Sequence, residues 1–238
     1  PKKRITLHYK GKKKMDIREN LQTLKTSVPE GVCLVAVSKT KPEEDILEAY
    51  EAGHRVFGEN KARELQSKAH NLPNDIVWHF IGHLQTNKVK YIAPGVDLIH
   101  SIDSLKILME IDRQAKQNKR KIQCLLQFHI AEEETKFGLS MEEAKEILDS
   151  LEFQKMENVI ISGVMGMATY TEDEAQVRKE FRQLKYYFDH LKQIYFTDNK
   201  YFKEISMGMS GDYKIAIEEG ATIVRIGSLI FGERNYSK

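Results

Sequence analysis

The chain is poor in the residues that mark special environments. Of 238 residues only 2 are Cys, 5 are Pro and 1 is Trp. Cys33 and Cys124 each lie in an apolar run, and neither has a partner at metal-ligand spacing. They read as small core residues of a reducing compartment, which excludes a disulfide framework. No apolar run approaches the roughly 20 residues of a membrane span, and no apolar signal segment opens the chain. The expectation is a cytoplasmic protein with no membrane partner. Acids are missing from the first fourteen residues, "PKKRITLHYKGKKK", which hold seven Lys or Arg. The whole chain carries +2, so the remainder sums to about −5. The body therefore offers no basic face, and nucleic acid is not expected as a partner. Residues 1–14 read as a basic extension, disordered or added ahead of a natural start at Met15. A basic arm for nucleic acid or an anionic surface is the other reading of the same stretch.

What remains is 41% hydrophobic and 30% charged, a balance suited to a globular body with a large core. "MDIRENLQTLKTSV" reads as an amphipathic first helix with Ile17, Leu21 and Leu24 on one stripe. Eight short apolar runs then alternate with charged, helix-period stretches. The runs are 33–39, 55–60, 78–83, 97–103, 122–130, 159–168, 204–210 and 222–231. Helices are expected over 42–52, 60–69, 104–118, 140–150, 172–195 and 211–219. Gly53 and Gly220 stand where C-terminal caps belong. Continuous apolar strands alternating with helices predict a parallel sheet covered on both faces. Eight such units fit an α/β fold of one (β/α)8 TIM barrel, spanning 15–238, with an extra N-terminal helix. An open doubly wound sheet is the alternative, but "SKTKPEED" after the first strand lacks the Gly-rich loop usual there.

In such barrels chemistry sits at the C-terminal ends of the strands. Here those ends are polar, small and Gly-rich, as a ligand mouth should be. Lys39 closes the first strand in "LVAVSKTKP". A partly desolvated lysine is a nucleophile toward carbonyls, although a lysine at a strand end also simply carries its charge out to water. "SMGMSGDYK" and "RIGSLIFGER" are strand–Gly/Ser–helix junctions on the last two strands. Ser210, Gly211, Gly227 and Ser228 are the candidates for a phosphate cup, or else for tight turns with serine caps. A lysine plus a phosphate cup points to a phosphorylated carbonyl compound. A Schiff base between Lys39 and pyridoxal 5′-phosphate (PLP) would explain both, and so would a sugar-phosphate aldolase. His79 and His83 share a strand face, but no third ligand has spacing that would make a metal site. His83, at its strand end, is a candidate contact for cofactor or substrate. Lys136 in "TKFGL" is a candidate anion contact or a surface lysine, and Tyr186, Tyr187 and Phe188 read as packing.

"AVSKTKP", "FGENKARELQSKA", "WHFIGHLQTNK", "SIDS", "KFGL" and "SMGMSGDYKIAIEEGATIVRIGSLIFG" together resemble the pyridoxal phosphate homeostasis protein family, over about residues 15–234. That family is related to the N-terminal barrel of alanine racemase. The resemblance implies a PLP-bearing barrel in which Lys39 is the Schiff-base lysine and Asn60 lies close to the cofactor. It implies that Ser210, Gly211, Gly227 and Ser228 hold the phosphate, and that Arg225 faces the pyridine nitrogen. An arginine there disfavours a protonated ring, so the ring would be a poor electron sink. Read from the residues alone, Arg225 equally pairs with an acid such as Asp212 or Glu59. In alanine racemases the second acid–base group comes from a separate domain, which this chain is expected to lack. The expected role is a monomeric PLP carrier, not an enzyme, that buffers the cofactor or delivers it to apo PLP-dependent enzymes. A PLP-dependent amino-acid racemase is the alternative.

Overall fold

A computed structural model describes residues 16–132 and 137–233, so the basic stretch 1–14, Met15 and Lys136 lie outside the described residues. Helix α1 (Ile17–Ser27) opens the described chain, its N-terminus capped by Asp16, whose side chain accepts from the Glu19 N–H. Ile17, Leu21 and Leu24 are its buried stripe, the spacing that puts three side chains on one helical face. The sequence then runs β1 (Cys33–Val37), α2 (Glu43–Glu51), β2 (Val56–Glu59), α3 (Ala62–Asn71), β3 (Val77–Phe80), a 3-10 turn (Thr86–Lys88) and α4 (Val89–Ile92). It continues β4 (Leu98–Ile102), α5 (Leu105–Gln117), β5 (Ile122–Phe128), α6 (Met141–Asp149), α7 (Leu151–Gln154) and β6 (Val159–Gly166). The last units are α8 (Glu174–Ile194), β7 (Glu204–Ser206), α9 (Tyr213–Glu218), β8 (Ile223–Ile226) and α10 (Ser228–Phe231).

The eight strands form a closed parallel barrel in chain order, β8 pairing with β1. This is the (β/α)8 fold expected from the alternation of apolar runs and helical stretches. The core has two parts. A large one, including Phe57, Ile99, Leu126 and Val224, packs the outer faces of the strands against the helices. A small one fills the barrel itself with Val35, Leu98, Leu125, Met165 and Ile223. Each strand thus buries both faces, which is why its apolar residues run on without polar alternation.

The boundaries differ from the sequence reading where local hydrogen bonding takes over. The first strand stops at Val37, because Ser38 and Lys41 close a turn, the Lys41 N–H donating to the Ser38 carbonyl at 3.0 Å. The seventh strand is only three residues long, since Gly208 turns the chain with φ +91°. The eighth ends at Ile226, and α10 takes the rest of the apolar run. Helix α4 and the turn before it were not expected, being too short to set up a period. Helix α6 begins at a complete capping box, Ser140 with Glu143, within a residue of its expected start.

Strand β6 carries a backbone irregularity at its pairing with β5, as does the β4–β5 pairing between Ile99 and Ile102. Its pairing with β5 jumps from Cys124↔Ile161 to Leu125↔Gly163, so Ser162 is a bulge residue. Gly163 follows at φ +154°, and a Cβ there would lie 1.8 Å from the Glu204 carbonyl oxygen of β7. Only glycine fits both the torsion and the space. Gly163→Ala is expected to destabilise the fold by about 3 kcal/mol, through backbone strain and a clash that β7 must yield to. Urea unfolding of the two proteins checks this, and an unchanged midpoint contradicts it.

Candidate functional site

The C-terminal ends of β7, β8, β1 and β2 are neighbouring staves of the barrel. Ala36 pairs with Ile226, which brings the residues after β1 level with those after β8. Lys39, half-buried, follows two residues beyond β1, and Gly227 and Ser228 follow β8 directly. A Cβ on Gly227 would lie 3.1 Å from the Val37 carbonyl oxygen and 3.3 Å from its Cβ, so the glycine lets the two strand ends touch. On the other side of β8, ladder bonds run on past β7: the Met207 N–H donates to Ile223 O and the Arg225 N–H to Gly208 O. They set the 209–212 turn, with Ser210 and Gly211, beside Gly227. Within that turn the Met209 N–H donates to Asp212 Oδ1 at 2.5 Å. Helix α10 starts at Ser228, so its first N–H groups have no intrahelical acceptor.

Below this rim a charge is buried. Arg225 on β8 is 4% exposed, and burial pulls its guanidinium down to about 10, with Asp212 working against the fall. It is therefore still charged at neutral pH. Its Nη1 donates to Ser206 Oγ at 2.6 Å and its Nη2 to the Gly166 carbonyl at 3.2 Å. Ser206 Oγ lies 2.8 Å from His100 Nδ1, and His100 Nε2 lies 3.0 Å from His79 Nδ1. A chain of four polar side chains thus crosses the barrel interior from β8 to β3. Arg225 donates to neither of the acids weighed for it. Glu59 is instead held outside the barrel wall, where its Oε1 accepts from Ser38 Oγ at 2.6 Å and from Lys68 Nζ at 2.8 Å.

Asn60 follows β2, and its Oδ1 is buried with no hydrogen-bond partner; Ser101 Oγ on β4 is in the same state. Orphaned buried acceptors and hydroxyls are rare, and here both stand near the mouth end of their strands. His83 behaves differently. Its side chain is 44% exposed, its Nδ1 lies 3.3 Å from Asp103 Oδ2, and its ring stacks on Phe137 at 4.4 Å between centroids. The expected common face of His79 and His83 does not hold, because β3 ends at Phe80 and only His79 remains in the barrel. Among the described residues no three His, Cys, Asp or Glu side chains group as a metal site. Nothing in the sequence singles out His100 or Lys68. Alternation through "DLIHSID" would have turned His100 inward with Leu98 and Ile102, but nothing local tells an inward histidine from an outward one.

The chain matches the family described as "Alanine racemase, N-terminal domain" over residues 14–235. A pyridoxal phosphate homeostasis protein of Aquifex aeolicus is 44% identical over 205 residues, 85% of this chain and 87% of that one. Its counterpart in Vibrio alginolyticus is 40% identical over 214 residues, 88% of this chain and 89% of that one. The chain belongs to the pyridoxal phosphate homeostasis protein family. Among solved structures, PipY of Synechococcus elongatus PCC7942 is 34% identical and aligns with a TM-score of 0.83 without PLP and 0.80 with PLP bound. Both alignments cover 91% of this chain and 100% of PipY. An alanine racemase of Clostridium difficile shares the fold, with a TM-score of 0.76 at 16% identity over 93% of this chain and 58% of that one.

Three buried histidines make this fold sensitive to acid. Burial pushes His79 down to about 3 and His54 to about 4, and it pushes His100 well below the usual imidazole range, helped by His79 and Arg225. All three are neutral when folded but bind a proton below about 6.5 once unfolded. The unfolded state therefore gains protons as pH falls, and stability is lost from about pH 6.5 downward. Each such histidine contributes roughly 1.4 kcal/mol per pH unit until its folded value is reached. Urea unfolding at pH 7, 6 and 5 should show an uptake of about one to three protons, and a pH-independent midpoint over that range contradicts it. Ser206→Ala should cost about 2 kcal/mol at pH 7, because it leaves a buried guanidinium and an imidazole short of a partner.

Proposed function

We propose that the chain binds PLP at the C-terminal mouth of its barrel and serves PLP homeostasis, holding the cofactor and buffering or delivering it with little catalysis of its own. One observation supports this reading: at the closing seam Gly227 lies against the Val37 carbonyl, so the chain leaving β1 toward Lys39 runs beside the Gly–Ser turn after β8, the strand that carries the buried Arg225 guanidinium. The residues fit the group. PLP supplies an aldehyde that condenses with a primary amine, and a phosphate that needs several donors. Lys39 is the amine at the seam. Ser210 and Ser228 offer hydroxyls, and Gly211, Gly227, Ser228 and Leu229 offer backbone N–H groups, which favour an anion. Asn60, with its orphaned buried Oδ1, would lie beside the ring, and half-exposed His83 would stand at the rim.

Arg225 sets the chemical limit. A guanidinium donates only, with five N–H groups, and those not given to Ser206 and Gly166 remain for a ring nitrogen. A positive charge there opposes protonation of the ring and so opposes its use as an electron sink. Turnover of amino acids should then be negligible beside a dedicated PLP enzyme, and apo PLP-dependent enzymes are the fitting recipients of the bound cofactor.

Loading with PLP, reduction with borohydride and peptide mass spectrometry should place one label on Lys39, and Lys39→Ala should fold yet carry none. A label retained in that variant would falsify the assignment of the amine. Ser210→Ala and Ser228→Ala should each weaken PLP retention by about 1–3 kcal/mol, as lost hydrogen bonds to a charged group do. Pyridoxal, lacking the phosphate, should be held far less well than PLP, and equal retention of the two argues against the cup. Mixing the loaded protein with an apo PLP enzyme, with a scavenger for free PLP present, tests delivery by the appearance of activity. Racemisation of any amino acid at rates typical of enzymes would replace the carrier reading with that of a racemase.

A further inference from the structure

Behind the first strand end, on the outer side of the barrel wall, lies a buried ionic cluster that the binding reading does not use. Lys68 on α3 is 5% exposed and Glu59 on β2 is fully buried. All three ammonium donors of Lys68 are engaged: Glu59 Oε1 at 2.8 Å, Glu64 Oε1 at 2.8 Å and the Ser38 carbonyl at 2.9 Å. Ser38 also donates its Oγ to Glu59 Oε1 at 2.6 Å and its N–H to the Gly58 carbonyl at 3.0 Å. On the far side of Lys39, the Thr40 N–H donates to Glu64 Oε1 at 2.6 Å. Thr40 stands at φ +64°, a left-handed torsion that threonine avoids unless its surroundings hold it.

Four of these six bonds end on a residue flanking Lys39, three on Ser38 and one on Thr40. The carbonyl before it is tied to α3 by the Lys68 ammonium and the N–H after it by the Glu64 carboxylate, and those two side chains are bonded to each other. Burying such a cluster gains little net stability, since desolvation of the ions offsets most of their attraction. A set of charges that adds little to stability but fixes one backbone is explained by what that backbone carries. We infer that Glu59, Lys68 and Glu64 are positioning residues that lock the direction in which Lys39 leaves the barrel wall, so that its amine meets a carbonyl ligand with little loss of freedom on binding. The inference rests on the reading of Lys39 as the PLP-bearing amine. Preorganisation of this kind raises the effective concentration of a nucleophile without touching the ligand.

Glu64 is the place to test it, because its side chain is 20% exposed and Lys68 keeps Glu59 and Ser38 when it is removed. In Glu64→Ala the amides of residues 38–41 should exchange with deuterium about tenfold faster without PLP, the factor expected when one charge-assisted hydrogen bond is lost. PLP retention and the rate of labelling at Lys39 should each fall about tenfold. Glu64→Gln keeps an oxygen that accepts from Thr40 and should restore most of both, whereas a merely structural defect would not be rescued this way. Unchanged exchange together with unchanged labelling in Glu64→Ala would overturn the inference. Failure of the parent protein to label Lys39 is a separate result, which would sink the PLP reading and leave the exchange measurement to judge the clamp. Should Glu64→Ala fail to fold, Glu64→Asp keeps the charge and draws it back by one methylene. It should then give the same acceleration of exchange, and parental exchange in it would equally overturn the clamp.

Discussion

Parallel pairing of β8 with β1 turns a row of eight strands into a ring, and Lys39, the 209–212 turn and the Gly227–Ser228 turn are all arranged about that seam. Ala36 opposite Ile226 brings a lysine from residue 39 beside a Gly–Ser turn from residue 227, nearly the whole body of the chain apart in sequence. The ladder bonds between β7 and β8 add the Ser210 turn on the other flank. Gly227 makes the contact possible by leaving room for the Val37 carbonyl. Were the sheet open, the same three loops would lie at opposite edges.

The barrel interior shows how a small apolar core coexists with a charge. Val35, Leu98, Leu125, Met165 and Ile223 form one apolar cluster within the barrel. Elsewhere in the interior, Arg225, Ser206, His100 and His79 share hydrogen bonds across it. Burial holds the two imidazoles neutral, while Arg225 keeps its proton because its intrinsic affinity for it is so high. A single charge with neutral partners is thus held at one height in the barrel, below the rim where the two Gly–Ser turns lie. Outside the wall the arrangement is the reverse: Lys68 lies between two carboxylates, and that cluster is tied to the loop and not to the cavity.

The rim departs from the interior in its exposure. His83 stacks on Phe137, itself 58% exposed, and Tyr170 is 96% exposed. The loops after β3 and β5 meet there through ring contact, and the loop after β6 is tied down by Thr169, which donates its Oγ1 and N–H to the buried carboxylate of Glu180. An anchored but open rim around a buried charge suits a ligand that enters and leaves.

The sequence by itself determined the fold class, because eight doubly buried strands write themselves as eight apolar runs, and helices between them write a period of 3.6. It also marked candidates at the strand ends, since Lys39, Ser210, Gly211, Gly227 and Ser228 are conspicuous against apolar neighbours. It did not determine where strands stop, because turn bonds such as Lys41 N–H to Ser38 O override apolar character over one or two residues. Nor could it give the partner of Arg225, which is a serine and a carbonyl and not a carboxylate. Inward and outward polar residues look alike in one dimension, so the His100–His79 pair and the Lys68 cluster became visible only in the folded chain. Those contacts join strands and helices far apart in sequence, and only the curvature and closure of the barrel decide which of them come within hydrogen-bonding distance.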